Sequence, residues 1–516
     1  MVRKDWAVRR VIIRALLFLS VLGLGEGPSR AFGAEALGKP ESGDRLGRER
    51  EILPARRLEL LERARAHRES GDPFSAGQVA EELLGDETIP PKARVEALLM
   101  VVRAYSLYGQ ASAWQKVRAA CESVLGEAEG LGWEERWEAA CQAVEAYRAL
   151  WAHAEQEVGL HGLLALPGHA VRDRVRLELD LARVLQGGRR PVEALEVLDG
   201  AEVRLNMVLE GMGWRPGVGD LRAEAGLLRG LCLEDLGRLQ EARLELDAVG
   251  KISGPSESSR VFREARLRRV QRGWEVPGRR VLKVLFVGSS HTLMGDVPWL
   301  VERISASAGP LFPLIVSGEQ ARSGTGMRLH WTAGDGAETA RRRIKEGVWD
   351  VVVVEAFYRS LRVDLFDYGS RYRDLVRSVG ARLVIYGTPA AKALEYPGGF
   401  EEVHENHVWL GRALGCEVAP GVRTLVRLLG ERPERGALDG LYKDWIHSTA
   451  EGAYLSACAL YSALSGASAE GLFAPGDRFS EEEARRFQRA AWVAYGETRD
   501  RVGGVEGSKN PKALPE

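Results

Sequence analysis

Two short stretches of this chain hold side chains whose types and spacing could do chemistry. In the first, Val284-Leu285-Phe286-Val287 runs directly into Gly288-Ser289-Ser290-His291-Thr292. A serine at a strand-to-helix turn exposes its hydroxyl, and nearby backbone N–H groups point at the same space, the setting that a nucleophile and its oxyanion need. The second stretch reads Asp444-Trp445-Ile446-His447-Ser448-Thr449-Ala450-Glu451-Gly452. Ser448 and Glu451 have capping-box spacing, which predicts a helix beginning after Ser448 and leaves Asp444 and His447 just ahead of it. A carboxylate there can hold one imidazole nitrogen, leaving the other to take a proton from a serine hydroxyl. Taken singly, each stretch is ordinary: Gly-Ser-Ser is a good turn and N-cap, and an Asp with a His near a helix start is common. Combined, they point to a triad of Ser290, His447 and Asp444.

The elements that must position these residues follow from the rhythm of the chain. Residues 281–287, 311–316, 350–354 and 381–386 are short apolar runs rich in Val, Ile and Leu. Helical patterns lie between and after them, near 298–307, 337–346, 371–379 and 401–414. Continuous apolar strands alternating with helices predict a parallel sheet covered on both faces, with its active site beyond the carboxyl ends of the strands. This three-layer α/β domain is placed at residues 276–498, and 499–516, with Gly, Ser and Pro, read as a loose, disordered tail. Ahead of it, residues 52–275 read as helix after helix, with Leu and Ala at three- and four-residue spacing and Gly or Pro between. The fold class expected is therefore an all-α helical array followed by an α/β domain.

Each half resembles a known family. In the array, Ala182–Gly188 runs into Pro191-Val192-Glu193-Ala194-Leu195, and Leu233–Arg238 runs into Glu241-Ala242. These helix–turn–helix units resemble tetratricopeptide repeats, although their 48-residue separation is not a multiple of the 34-residue period. Such an array implies either a concave surface for a protein or peptide partner or a spacer that only packs. In the α/β half, Phe286–Thr292 with Gly295-Asp296-Val297-Pro298 is similar to the nucleophile block of the SGNH (GDSL-like) hydrolases, in the branch with a Gly-Asn-Ser type of first block. Asp444–Ser448, continuing through Gly452-Ala453-Tyr454-Leu455, is similar to the last block of that family. The resemblance covers most of residues 281–495 and implies a flavodoxin-like sheet. It also implies that Ser290 is the nucleophile, His447 the base and Asp444 the acid. Ser323-Gly324-Thr325-Gly326 resembles the glycine block, so Gly324 and the Ser290 N–H would bind the oxyanion. Ser289 stands where the family has Asp or Asn. Glu355 stands near the position from which relatives offer an Asn or Gln to the oxyanion hole, where an ionised carboxylate would repel the developing charge.

Composition narrows the rest. Lys+Arg number 72 and Asp+Glu 73, for a net charge of −1, so the basic excess that wraps nucleic acid is absent. Arg3, Lys4, Arg9, Arg10 and Arg14 precede or enter a short apolar run ending near Leu24, followed by small residues at Ala34-Glu35-Ala36. That pattern predicts a secretory signal peptide at residues 1–36, a linker at 37–51, and a periplasmic or extracellular location. The apolar run is about half the roughly 20 residues that a transmembrane anchor needs. Five cysteines, without CxxC spacing, read as buried free thiols. His404 and His407 lack the third ligand and the spacing of a zinc site, and no metal or organic cofactor is implied.

Two functions follow as expectations. One is an exported serine esterase acting on a small-molecule or glycan ester, with O-acetyl glycan as the substrate class that the resemblance and export imply. The other is a binding or scaffold protein whose α/β half keeps the fold without turnover, a reading that Glu355 keeps open.

Overall fold

The computed structural model describes residues 55–503, apart from 70–72, 86–88, 107–110, 127–132, 151, 166–169, 213–216, 253–259, 337–338, 358–359, 361, 396–397, 431–432, 445 and 477. The expected leader and linker, residues 1–51, lie outside the described residues, as does 504–516. The first four residues expected in a loose tail are instead the end of the helix Glu481–Val502. A capping box of Ser480 and Glu483 starts this helix, and Val502 packs into the core at its far end.

The chain divides into two compact units, residues 1–185 and 186–516. The described part of the first is helical, from Ala55–Glu69 to His153–Ala165 and into Val171–Gly187, around fully buried Leu61, Leu83, Met100, Leu160 and Leu163. The second unit holds the helices Pro191–Met212, Val218–Asp235, Leu239–Val249 and Arg260–Gln271 together with the sheet. These four helices share the array's sequence rhythm, yet Leu267 of the last one sits in the sheet's own core. No described helix is long and apolar enough to cross a membrane.

Five parallel strands form the sheet: β1 Val281–Gly288, β2 Leu314–Ala321, β3 Val351–Ala356, β4 Arg382–Gly387 and β5 Glu417–Pro420, in the order β2-β1-β3-β4-β5. Alternate side chains point to opposite faces. Val284, Phe286, Val353 and Tyr386 meet the helices Val297–Ser307 and Ala450–Ser465 on one side. Leu285, Val287, Val352, Val354 and Ile385 meet Arg362–Ser378 and Gly399–Leu414 on the other. This two-sided burial explains why the strands are apolar throughout rather than alternating.

Strand order reverses beside β1, since β2 lies on one side of it and β3 on the other. The crevice outside the carboxyl ends at such a switch point is where ligands bind in open α/β sheets. β2 begins three residues later than its apolar run, after Pro313, which has no N–H to give to a ladder. It then continues through Ser317-Gly318-Glu319-Gln320, polar residues buried by pairing with β1. β5 has only four residues and opens on Glu417, which leaves it without a clear periodic signal.

Ile385 is fully buried in β4, whereas Val363 is 71% exposed. Ile385→Ala should cost about 2–5 kcal/mol, and Val363→Ala about 0.5 kcal/mol or less. Denaturant unfolding followed in the full-length chain checks the contrast; equal losses would mean that the face assignment is wrong.

Candidate active site

The end of β1 is crowded, and the crowding makes the nucleophile turn. Gly288 leaves no room for a side chain, because a Cβ there would stand 2.0 Å from Thr292 Oγ1 and 2.7 Å from Glu355 Oε2. The Gly288 carbonyl accepts the Arg322 N–H at 3.0 Å, which ties β1 to the start of the loop after β2. His330 Nε2 lies 2.8 Å from the same oxygen and, facing a carbonyl, must carry the proton. Burial holds the His330 ring neutral, with its pKa pushed down to about 4. His330 is thus a packed ring that supports the strand end.

Ser289 then caps the single turn Ser290–Leu293, its Oγ accepting the His291 N–H at 3.3 Å. The Ser290 N–H, at the first position of this turn, has no preceding helical carbonyl to bond. Ser290 itself is 7% exposed.

Asp444 and His447 come from a loop that organises itself. Leu441 and Thr449, and Lys443 and His447, are joined by backbone bonds: Thr449 N–H to Leu441 O at 2.9 Å and Lys443 N–H to His447 O at 2.8 Å. Within this small hairpin Asp444 Oδ1 accepts the N–H groups of Ile446 (3.1 Å) and His447 (2.7 Å). Its other oxygen, Oδ2, accepts from His447 Nδ1 at 2.7 Å. That contact fixes the tautomer: Nδ1 carries the proton and Nε2 is left as an acceptor. Nε2 lies 3.1 Å from Ser290 Oγ. Partial burial pulls the Asp444 carboxyl upward, but the hydrogen bonds from His447 and Ile446 outweigh it and hold the pKa below the ordinary carboxylate value. The following helix, Ala450–Ser465, is capped by Thr449, whose side chain accepts the Gly452 N–H. This is one residue later than the expected Ser448 cap, because Ser448 is engaged in a bridge with Tyr442.

Glu355, at the end of β3, is not placed as an oxyanion donor. Both of its oxygens are taken by the nucleophile turn. Oε2 accepts the Ser289 N–H at 2.7 Å and the Thr292 hydroxyl at 2.9 Å, and Oε1 accepts the Ser289 hydroxyl. Burial raises the pKa of this carboxyl above its usual value, against the lowering pull of its Ser289 and Thr292 donors. The side chain that the sequence reads as a threat to the oxyanion is a brace beneath the serine. Gly324 adopts the left-handed φ of 68° in the turn that leaves β2, whose last residue, Ala321, pairs with Gly288. The glycine turn therefore leaves the sheet beside the nucleophile turn.

Several neighbours have roles that the motifs do not announce. Thr292 supplies a donor to Glu355, a role that Gly-Ser-Ser-His-Thr does not announce. His291 is buried with its ring centroid 6.2 Å from that of His447 and 5.6 Å from that of Phe357. Burial, with His447 nearby, pushes its pKa down to about 3, so a neutral imidazole lies beside His447. His404 and His407 are likewise buried, with pKa values pushed down to about 3 and about 4. His407 is hydrogen-bonded to the backbone at Ala356. Among the described residues no group of three or more His, Cys, Asp or Glu could hold a metal ion. All five cysteines are unpaired.

No protein-family model matches the chain, and no curated protein matches it. Among solved structures, a crystal structure of a DUF4886 family protein from Bacteroides uniformis is similar over 42% of this chain and 94% of its own, at 16% identity and a TM-score of 0.33. A likeness at that level carries no argument about fold or function.

The brace has a measurable consequence. Glu355→Ala strands three buried donors, each worth about 1–3 kcal/mol when left unpaired, so it should destabilise by at least about 2 kcal/mol. Glu355→Gln keeps an acceptor oxygen for two of the donors and should cost about 1 kcal/mol. Thermal and denaturant unfolding distinguish these; equal stability of Glu355→Ala and the parent would remove the bracing role.

Proposed function

We propose that the protein is an exported serine esterase of the SGNH type. The observation that carries this reading is the unbroken chain Asp444 Oδ2–His447 Nδ1 at 2.7 Å and His447 Nε2–Ser290 Oγ at 3.1 Å, at the switch point of a parallel sheet. Ser290 and His447, 157 residues apart in sequence, are brought to hydrogen-bond distance in the order that acyl transfer requires.

In the mechanism, Ser290 Oγ attacks the ester carbonyl carbon as its proton passes to His447 Nε2. The carbonyl oxygen takes up the negative charge and is received by the N–H groups of Ser290 and Gly324. Collapse breaks the bond to the alcohol, which leaves with the proton returned by His447. Water, deprotonated by the same imidazole, then attacks the acyl-serine and releases a carboxylic acid and free Ser290. Asp444 stays ionised throughout, holding the tautomer and stabilising the imidazolium.

An O-acetyl group on an envelope or extracellular glycan is the substrate class that we favour. The leader-like residues 1–36 support an exported location, and the half-exposed Asp444 side chain leaves the triad open to an ester borne on a large molecule. The helices of residues 52–275, similar to tetratricopeptide repeats, would offer a surface to a protein or peptide partner. The scaffold alternative drew on Glu355 as an obstacle to turnover, and the carboxylate's engagement with Ser289 and Thr292 takes that support away.

Hydrolysis of p-nitrophenyl acetate by the purified chain, compared with Ser290→Ala, tests the reading: activity should disappear in the variant, and equal rates in both would end the esterase proposal for that substrate class. Asp444→Asn leaves a hydrogen-bonding side chain of the same size but favours the wrong imidazole tautomer. It should lower kcat by about 10³–10⁴-fold. A loss under about tenfold, some 1.4 kcal/mol, would mean that Asp444 does not orient His447.

A further inference from the structure

A buried guanidinium lies behind the nucleophile turn and comes from outside the α/β segment. The helix Arg260–Gln271 seats on the edge strand β2, with Leu267 fully buried in the sheet's core. Gly318 of β2 permits the approach, since a Cβ there would stand 2.9 Å from Leu267. One turn earlier on this helix, Arg263 is 5% exposed and reaches two carboxylates at once. Nη1 donates to Asp296 Oδ2 at 2.7 Å, and Nη2 donates to Glu319 Oε2 at 3.1 Å. Arg260 adds a bond to the Glu319 carbonyl at 3.2 Å.

Asp296 is six residues beyond Ser290 and is held in the left-handed region, with φ 52° and ψ 56°. Gly295 before it has φ 74°. Glycine enters this region freely and Asp more readily than most residues, yet an Asp there still carries strain that its surroundings must hold. On one side the surroundings are the helix that follows His447: a Cβ on Gly295 would stand 2.3 Å from Ala453 Cβ. On the other side they are Arg263. The exit of the nucleophile turn is therefore clamped between the helix after the base and a side chain of the helical segment. Released from Arg263, Asp296 can relax to negative φ, and the turn can move relative to His447.

We infer that Arg263 is a positioning residue for Ser290, so that the helices between residues 186 and 271 are part of the catalytic unit rather than an appendage. The kinetic arm of this inference rests on the esterase reading; the structural arm does not.

The test uses the full-length chain with Arg263→Met, Arg263→Lys, and Arg263→Met combined with Asp296→Asn and Glu319→Gln, which neutralises the stranded carboxylates. Amide hydrogen exchange in residues 289–297 should be at least about tenfold faster in Arg263→Met, with β4 unchanged. On p-nitrophenyl acetate, kcat should fall by at least about tenfold while KM stays within about twofold. Arg263→Lys should recover part of both effects. If Arg263→Met does not fold, the triple variant carries the test: the same losses in it support the latch. Wild-type exchange in a folded Arg263→Met, or wild-type kcat in the triple variant, overturns it. A parent chain that hydrolyses no ester refutes the esterase reading, while the exchange comparison still decides the role of Arg263.

Discussion

The site depends on a carboxylate buried where charge is costly. Glu355 follows four consecutive valines in β3, and burial disfavours its ionised form. What offsets that cost is the nucleophile turn, which offers it the Ser289 N–H and hydroxyl and the Thr292 hydroxyl. The dependence runs both ways. Without the turn the carboxylate has no donors, and without the carboxylate the turn that presents Ser290 has three buried polar groups to satisfy elsewhere. Placement of the serine is thus a property of β1 and β3 together, which the parallel pairing of Val284–Val287 with Val351–Val354 holds in register.

The base is fixed by different means. Asp444 and His447 are organised within a loop of a few residues, by an acidic side chain that takes two backbone N–H groups and one ring nitrogen. This loop could form almost anywhere; its meaning comes from where the helix Ala450–Ser465 sets it. That helix buries Ala453, Tyr454, Ala457 and Leu460 in the core on one face of the sheet. It also touches the nucleophile segment at Gly295. The carboxyl end of β1, which bears Ser290, and a self-contained loop bearing His447 are therefore brought together by a helix that touches both segments. The 3.1 Å separation of Ser290 Oγ from His447 Nε2 is the result.

Much of this was legible in the chain, and the illegible parts share a cause. The strand into Gly-Ser-Ser could be read because an apolar run and a turn are local signals, and the Asp444–His447 pair because three residues separate its members. β5 could not, being four residues long with a charged start. The helix Arg362–Ser378 begins earlier than its apolar pattern because its first turns carry Asp364 and Asp367, charged residues that interrupt that pattern. Glu355 could be located near the site but not assigned a direction, since its donors are 63 and 66 residues away. For the same reason helical periodicity marked a buried face on Arg260–Gln271 without saying that the face belongs to the sheet. Local chemistry is written in the sequence; which donor meets which acceptor is written only in the packing.

The central claim is that Ser290, among all the hydroxyls of the chain, is the one made nucleophilic. The direct measurement is peptide mapping by mass spectrometry after exposure to a fluorophosphonate, which forms a covalent bond with an activated serine oxygen and releases fluoride. The structure predicts one adduct per chain, on Ser290, and its loss when His447 is replaced by alanine. A stoichiometric adduct on Ser289 or on another residue, or no adduct on the folded chain, would contradict the account.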